Sequence, residues 1–249
     1  MLKTGRVIGL PVTVGSAKNI TEKIGRIASM GHGGYVCVAN VHMVTTAIRD
    51  EKLRKIMEKS LFVTADGLPL VWMLKQSGFK EAERVTGADL TLRLCETAAD
   101  EKISVYFYGG YPETIRSLKA FIVKRFPNLE VVGYESPPLL PLHPKPDQDV
   151  VARIIKSGAH IVFVGLGCPK QEHWMAEYTS YLSAILIGVG AAFDFVAGTI
   201  NRAPVWMQKC GLEWVYRLAT EPQKMWKRYA TTNPLFVWMF IKEYVKRKV

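Results

Sequence analysis

This sequence predicts an α/β fold: a Rossmann-like parallel sheet flanked by helices, with a C-terminal helical, membrane-associating appendage. Three observations carry that expectation. Short β-rich runs alternate with amphipathic stretches of helical length. Two of the runs, Ile161 to Val164 and Ile185 to Val189, are apolar throughout, as strands buried on both faces are. Several runs also end in Gly or Pro just before the next helical stretch. The body is read as residues 1–200 and the appendage as residues 201–249.

In chain order the expected strands are Tyr35 to Val41, Leu61 to Thr64, Ile103 to Tyr108, Glu130 to Gly133, His160 to Gly165 and Ala184 to Val189. Functional loops are expected at their carboxyl ends, where open α/β sheets bind ligands. The segment Ser136 to Pro146 is too rich in proline for a helix or central strand and reads as a loop at the sheet edge. In the tail, Pro204 and Pro222 fit helix starts, and Thr220 with Gln223 matches a capping box. Two or three short helices with a break near Pro222 are therefore expected.

The chain has 249 residues, 49% of them hydrophobic, enough for one α/β domain with an appendage and too apolar for disorder. The four cysteines are scattered without a CxxC pair, and the five histidines lack metal-ligand spacing, so neither a disulfide framework nor a protein metal site is signalled. Most of the histidines are expected on the surface or in loops. No stretch has the pattern of a secretion signal, and the longest apolar run of the tail, Leu235 to Ile241, is shorter than the roughly 20 residues a spanning helix needs. A cytoplasmic protein with peripheral membrane contact fits best.

The net charge of +11 is unevenly spread. From Asn201 onward ten Lys and Arg face three Glu, and between Gly211 and Tyr229 aromatic residues are interleaved with Arg217, Lys224, Lys227 and Arg228. Basic side chains contribute about 1 kcal/mol each near an anionic leaflet, and Trp and Tyr settle at headgroup level. An anionic membrane surface is the expected partner rather than nucleic acid, which the same charge would attract. A merely solvated helix with a few core tryptophans is the plainer alternative.

Several loops could carry chemistry. Asp66 and Gly67 follow a strand and precede a helix that Pro69 could start, so Asp66 is placed either as a general base or as that helix's cap. Arg84, at the head of an RVTGADL segment, could grip a diphosphate through forked hydrogen bonds, while Asp89 suits a first-turn helix position. Gly109 and Gly110, and Gly167 with Lys170 and Gln171, end strands and can present backbone N–H groups to phosphate, although neither loop has the GxGxxG or Walker spacing. Asp194 stands in an apolar stretch and needs a partner, which a nucleotide or Arg202 would equally supply. Asp147 and Asp149 have a DxD form, but helix capping explains them more simply, and no metal is assigned.

Taken together, TADGLPLVW, RVTGADL, FYGG, GLGCPKQEHW, GVGAAFDFVAGTINRAP and GLEWVYRLATEP resemble the WecG/TagA/CpsF family of bacterial glycosyltransferases over nearly the whole chain. The resemblance implies an inverting, metal-independent transferase that needs no cofactor. It would move a sugar from a UDP-sugar to a polyprenyl-diphosphate-linked sugar on the cytoplasmic face of the membrane. N-acetylmannosamine, its uronic acid and a hexose are all open as the donor sugar, in teichoic acid, common-antigen or exopolysaccharide synthesis.

By the same resemblance Asp66 is the base, Asn40 a polar pocket residue and Arg84 a stabiliser of the departing diphosphate. Gln171 and Asp194 would line the nucleotide pocket. Arg217, with Lys224 and Lys227 where the family carries arginines, would reach toward diphosphate. A homo-oligomer and a membrane-docked monomer both suit the residues. An NAD-dependent oxidoreductase and a non-catalytic basic binding protein are the competing readings. The first lacks a fingerprint glycine loop, and the second leaves Asp66 and Arg84 without a task.

Overall fold

A computed structural model describes residues 2–246. The chain opens with a feature the sequence reading lacked, an antiparallel hairpin of β1 (Lys3–Val7) and β2 (Leu10–Val14). Its two-residue turn places both Ile8 and Gly9 at positive φ, 50° and 79°. That is the primed turn hairpins favour, but with Ile where Asn or Asp is the usual signal, so the pattern was hidden. Helix α1 (Ala17–Ser29) follows, capped by Ser16, whose hydroxyl accepts from Asn19 N.

The body continues as β3 (Gly34–Ala39), α2 (Val41–Arg49), α3 (Glu51–Lys59), β4 (Phe62–Ala65), α4 (Leu68–Gln76), α5 (Gly87–Glu101), β5 (Val105–Gly109), α6 (Pro112–Arg125) and β6 (Val131–Glu135). Next come α7 (Gln148–Ser157), β7 (Ile161–Gly165), α8 (Lys170–Tyr178), β8 (Ile185–Gly188) and α9 (Ala192–Ala197). All six expected strands are present and form one parallel sheet in the order β4-β3-β8-β7-β5-β6. The proline-rich segment after β6 is free of helix and strand.

Period-two alternation sorts the strand side chains into two cores, because successive residues point to opposite faces. Cys37, Val63, Tyr106, Tyr108, Val162, Val164 and Leu186 face α2, α3, α4, α7, α8 and the hairpin. Val36, Val38, Phe107, Phe163, Ile185 and Ile187 face α1, α5, α6 and α9. The hairpin also closes one sheet edge, where Thr13 Oγ1 accepts from Val63 N at 3.0 Å.

The tail forms α10 (Val205–Cys210), α11 (Glu213–Thr220) and α12 (Pro222–Lys246). The break falls at Pro222 as expected, but α12 is a single helix of 25 residues that carries Pro234 inside it, not a short one. Nor does the capping box form, since Thr220 Oγ1 donates back to the Tyr216 carbonyl at 3.0 Å. Met225, Thr232 and Phe236 make a buried stripe at helical spacing, and Phe236 joins the core that α2 shares. At the far end Glu243 accepts from Ile8 N at 2.9 Å, tying the helix to the hairpin turn. Arg247 and Lys248 of the basic tail lie outside the described residues.

Candidate functional site

Parallel β3 and β4 end side by side, and their carboxyl ends place Asn40 and Asp66 in adjacent loops. The Asp66 N–H donates to the Ala39 carbonyl at 2.8 Å. Gly67, not Asp66, is the N-cap of α4, and no side chain caps that helix. The carboxylate of Asp66 is therefore not spent on capping. Asn40 does cap its helix: its Oδ1 accepts from Met43 N at 3.1 Å, leaving the amide nitrogen for other work.

Arg84 closes over Asp66 from the segment before α5. Its Nε donates to the Asp66 carbonyl and its Nη2 lies 3.5 Å from Asp66 Oδ1. The same Nη2 pairs with Glu213 at the start of α11, so one guanidinium joins the body to the tail. Burial pushes the Asp66 carboxyl up to about 6, with Glu213 and Asp89 adding to the rise and Arg84 and Arg202 opposing it. Its side chain still keeps 25% of its surface open, so a substrate can reach it.

Beside this pair Arg202 grips Asp89 at 2.7 and 3.1 Å and also donates to Thr86 Oγ1 at 3.1 Å. Thr86 caps α5 by accepting from Asp89 N, so Asp89 is a helix-start residue locked into an ion pair. Burial opposes its ionisation, but the bonds from Arg202 and Thr86 outweigh burial and hold it below the usual carboxylate range. Arg202 is thus not the partner of Asp194. That acid instead accepts from Thr114 Oγ1 at 2.9 Å and Thr199 Oγ1 at 3.3 Å. Two hydroxyls thus satisfy it beside the start of α6.

The glycine loops differ in kind. Gly109, at φ 117°, approaches β7 so closely that an added Cβ would sit 2.6 Å from the Gly165 carbonyl carbon, and Gly110 N donates to the Gly165 carbonyl at 3.0 Å. Those glycines join two strand ends. Gly167, at φ 80°, has open space where its Cβ would be, and Lys170 follows it as the first residue of α8. This second loop has open space above its backbone that the first lacks.

Gln171 is 3% exposed and does not line an open pocket. Its Oε1 accepts from Gly167 N at 3.1 Å and its Nε2 donates to Glu172 Oε1 at 2.7 Å. It braces the loop from inside. Glu172, fully buried, is pushed up to about 7 by that burial, with bonds from Gln171 and Cys168 opposing. His173 departs from the surface or loop placement expected for most of the histidines: it is buried in α8 against His143 at a ring separation of 4.3 Å. Asp147 accepts from Asp149 N and Val150 N as the cap of α7, which explains the DxD segment. No group of three His, Cys, Asp or Glu that could hold a metal ion occurs among the described residues.

Tail cations surround this region. Arg217 lies 5.3 Å over the Phe195 ring next to Asp194, and it pairs with Glu221 at 2.9 Å. Lys224 reaches the same Glu221 at 3.5 Å. Arg228 acts on His42 and Cys168 at the β7–α8 loop; burial first, and then this cation, bring His42 down to about 4 and keep it neutral. Lys227 lies 5.7 Å over the exposed Trp226 ring, away from Asp66's cluster. Arg84, Arg217 and Arg228 thus reach the carboxyl side of the sheet from three directions, while Lys227 belongs to the outer face. Glu213, Glu221 and Glu172 were not anticipated; the first two are rare acids in a basic tail, which was the available signal.

Two cavities of about 460 Å³ each flank edge strand β6, and neither is lined by Asp66, Arg84 or a tail residue. The chemistry-bearing cluster lies instead where α11 meets the strand ends.

The sequence model of a family described as "Glycosyl transferase WecG/TagA/CpsF family" matches residues 5–249. The chain is similar to an N-acetylglucosaminyldiphosphoundecaprenol N-acetyl-beta-D-mannosaminyltransferase of Bacillus subtilis (strain 168), 29% identical over 218 residues, or 87% of this chain and 82% of that protein. A protein of the same name from Bacillus spizizenii is 30% identical over 197 residues, covering 79% of this chain and 74% of its own.

Proposed function

The chain belongs to the WecG/TagA/CpsF family of glycosyl transferases, and from that premise we propose that it transfers N-acetylmannosamine from a UDP-sugar to a polyprenyl-diphosphate-linked N-acetylglucosamine. The observation that carries this reading is Asp66: a strand-end carboxylate free of capping duty, partly open, and raised toward neutrality beside Arg84.

Asp66 takes the proton of the acceptor hydroxyl as the oxygen attacks the anomeric carbon, a task suited to a base whose proton affinity lies near the working pH. Attack from the face opposite the UDP inverts that carbon. The charge that develops on the leaving diphosphate falls to Arg84 and Arg217, which act strongly because their side chains are largely removed from water, with the exposed Lys224 beside them. The open space beside Gly167 and the positive end of α8 offer the same phosphates room and a favourable field, with Lys170 at the helix start, and Asp194 offers an acceptor to the nucleoside. The chemistry requires no resident cofactor or metal.

No described helix is long and apolar enough to cross a membrane. Contact with the lipid acceptor is assigned to the cytoplasmic membrane face through the outer side of the tail. Trp206, Trp226 and Trp238 are 61%, 53% and 59% exposed, and Lys227 and Lys242 lie over two of those rings. Large exposed rings stacked with cations match the interface between headgroups and acyl chains. Incubation with UDP-N-acetylmannosamine and the lipid-linked acceptor in anionic vesicles tests the reading; a lipid-linked disaccharide supports it, and its absence with folded protein opposes it.

A further inference from the structure

The cations that the site offers to a diphosphate are already engaged by acids of the tail. Arg84 is shared between Asp66 and Glu213, and Arg217 and Lys224 both close on Glu221. A guanidinium between two carboxylates is a net-negative cluster. A diphosphate with about two negative charges would be repelled from these carboxylates at contact distance, where a partly desolvated site strengthens like-charge repulsion. One carboxylate must therefore leave Arg84 when the diphosphate arrives.

The two acids are not equally free to do so. Asp66 directly follows β4, and its own carbonyl accepts from Arg84, so it is held by the sheet. Glu213 stands in the first turn of α11, a helix of eight residues with none buried. Glu213, on a helix outside both cores, can withdraw together with its backbone, whereas the backbone of Asp66 is fixed at the end of β4.

We propose that Glu213 is a positioning residue that stands in for the substrate diphosphate: it holds the Arg84 guanidinium beside Asp66 while the site is empty and yields it when the diphosphate binds. The empty site then keeps Arg84 aimed at the reacting groups rather than collapsed onto Asp66 alone. Departure of Glu213 releases one tie between α11 and the body, the Arg217–Phe195 contact being another, at the moment the substrate supplies a new anion. The inference rests on the glycosyl-transfer reading above.

Calorimetric titration of UDP, and separately of inorganic pyrophosphate, into the full chain at low ionic strength tests it. Glu213→Gln removes the competing charge while keeping the shape, so both ligands are expected to bind on the order of three- to tenfold tighter than to the wild type. Glu213→Asp keeps the charge but withdraws it, and its affinity is expected between the two. A purely structural role predicts the opposite, weaker binding with a lower melting temperature. Equal or weaker binding by folded Glu213→Gln and Glu213→Asp overturns the proposal. Failure of the wild type itself to bind UDP or pyrophosphate overturns the transfer reading, and this inference with it.

Discussion

Arg84 holds Asp66 twice, through Nε to its backbone carbonyl and through Nη2 at 3.5 Å to its carboxylate. The backbone contact keeps the guanidinium beside Asp66 even when the carboxylate turns about its own side-chain bonds. A base and a cation are thereby fixed side by side at the end of β4, before any substrate arrives.

The pH dependence follows from that placement. Asp66 works as a base only when ionised, and its carboxyl is pushed up to about 6. Turnover is expected to climb with pH through about 6 and level above it. A rate profile flat between pH 5 and 7 would show that another group takes the proton.

The same rise has a stability consequence of opposite sign. A carboxyl raised in the folded state binds its proton more tightly there than in the unfolded chain, so its contribution is fully present below about 3.8 and is lost as pH rises through about 6. Asp66→Asn, neutral at every pH, should therefore melt higher than wild type at pH 8 and converge with it near pH 3.5. Thermal melts at the two pH values check this, and a variant that melts lower at pH 8 would contradict it.

Glu172 gives an independent case inside the body. Its fully buried carboxyl is raised to about 7 and accepts from Gln171, a bond that a glutamine oxygen can replace. The strain of holding it ionised is absent below about 4.5 and complete above about 7. Glu172→Gln should be more stable than wild type at pH 8.5 by about 1 to 3 kcal/mol, with the gain gone by pH 4.5. Denaturant titrations at both pH values measure it.

Membrane contact is separable from folding only by surface changes. Phe236 lies in the core, so cutting the tail away from about Pro204, at first sight a clean deletion, would open the body. Phe236→Ala alone is expected to cost about 3 to 5 kcal/mol. Replacing exposed Trp226 and Trp238 with Ala should instead lower cosedimentation with anionic vesicles at least tenfold and leave the melting temperature within a few degrees. Unchanged cosedimentation would move the docking face elsewhere.

The DxD segment should be silent in catalysis. Asp147→Ala removes the cap of α7 and should cost about 1 kcal/mol of stability, with turnover unchanged in the presence or absence of a chelator. Loss of turnover restored by a divalent ion would assign these acids a metal after all.

The sheet was legible because its strands are short apolar runs whose two-sided burial leaves a direct mark in the sequence, and Asp66, Arg84 and Asn40 were legible because they end such runs or open the next helix. What escaped depended on contacts distant in sequence. The hairpin was masked by Ile8 in a turn position that rarely holds a β-branched residue. Arg202 looked as suitable for Asp194 as for any acid, and only the packed fold sends it to Asp89, 113 positions away. Gln171 carried the residue type of a ligand contact, yet the turn at Gly167 folds it inward. The length of α12 was hidden by Pro234, whose missing N–H is tolerated because the helix packs along the body on either side of it.

The most direct test of the account is transfer from a panel of UDP-sugars to a polyprenyl-diphosphate-N-acetylglucosamine acceptor in anionic vesicles, with UDP release and lipid product followed together for wild type and Asp66→Asn. The account predicts that UDP-N-acetylmannosamine yields product with the wild type, and that the variant binds UDP but turns over at least about 100-fold more slowly. Near-normal turnover by Asp66→Asn, or no lipid product from any donor with folded protein, would contradict it.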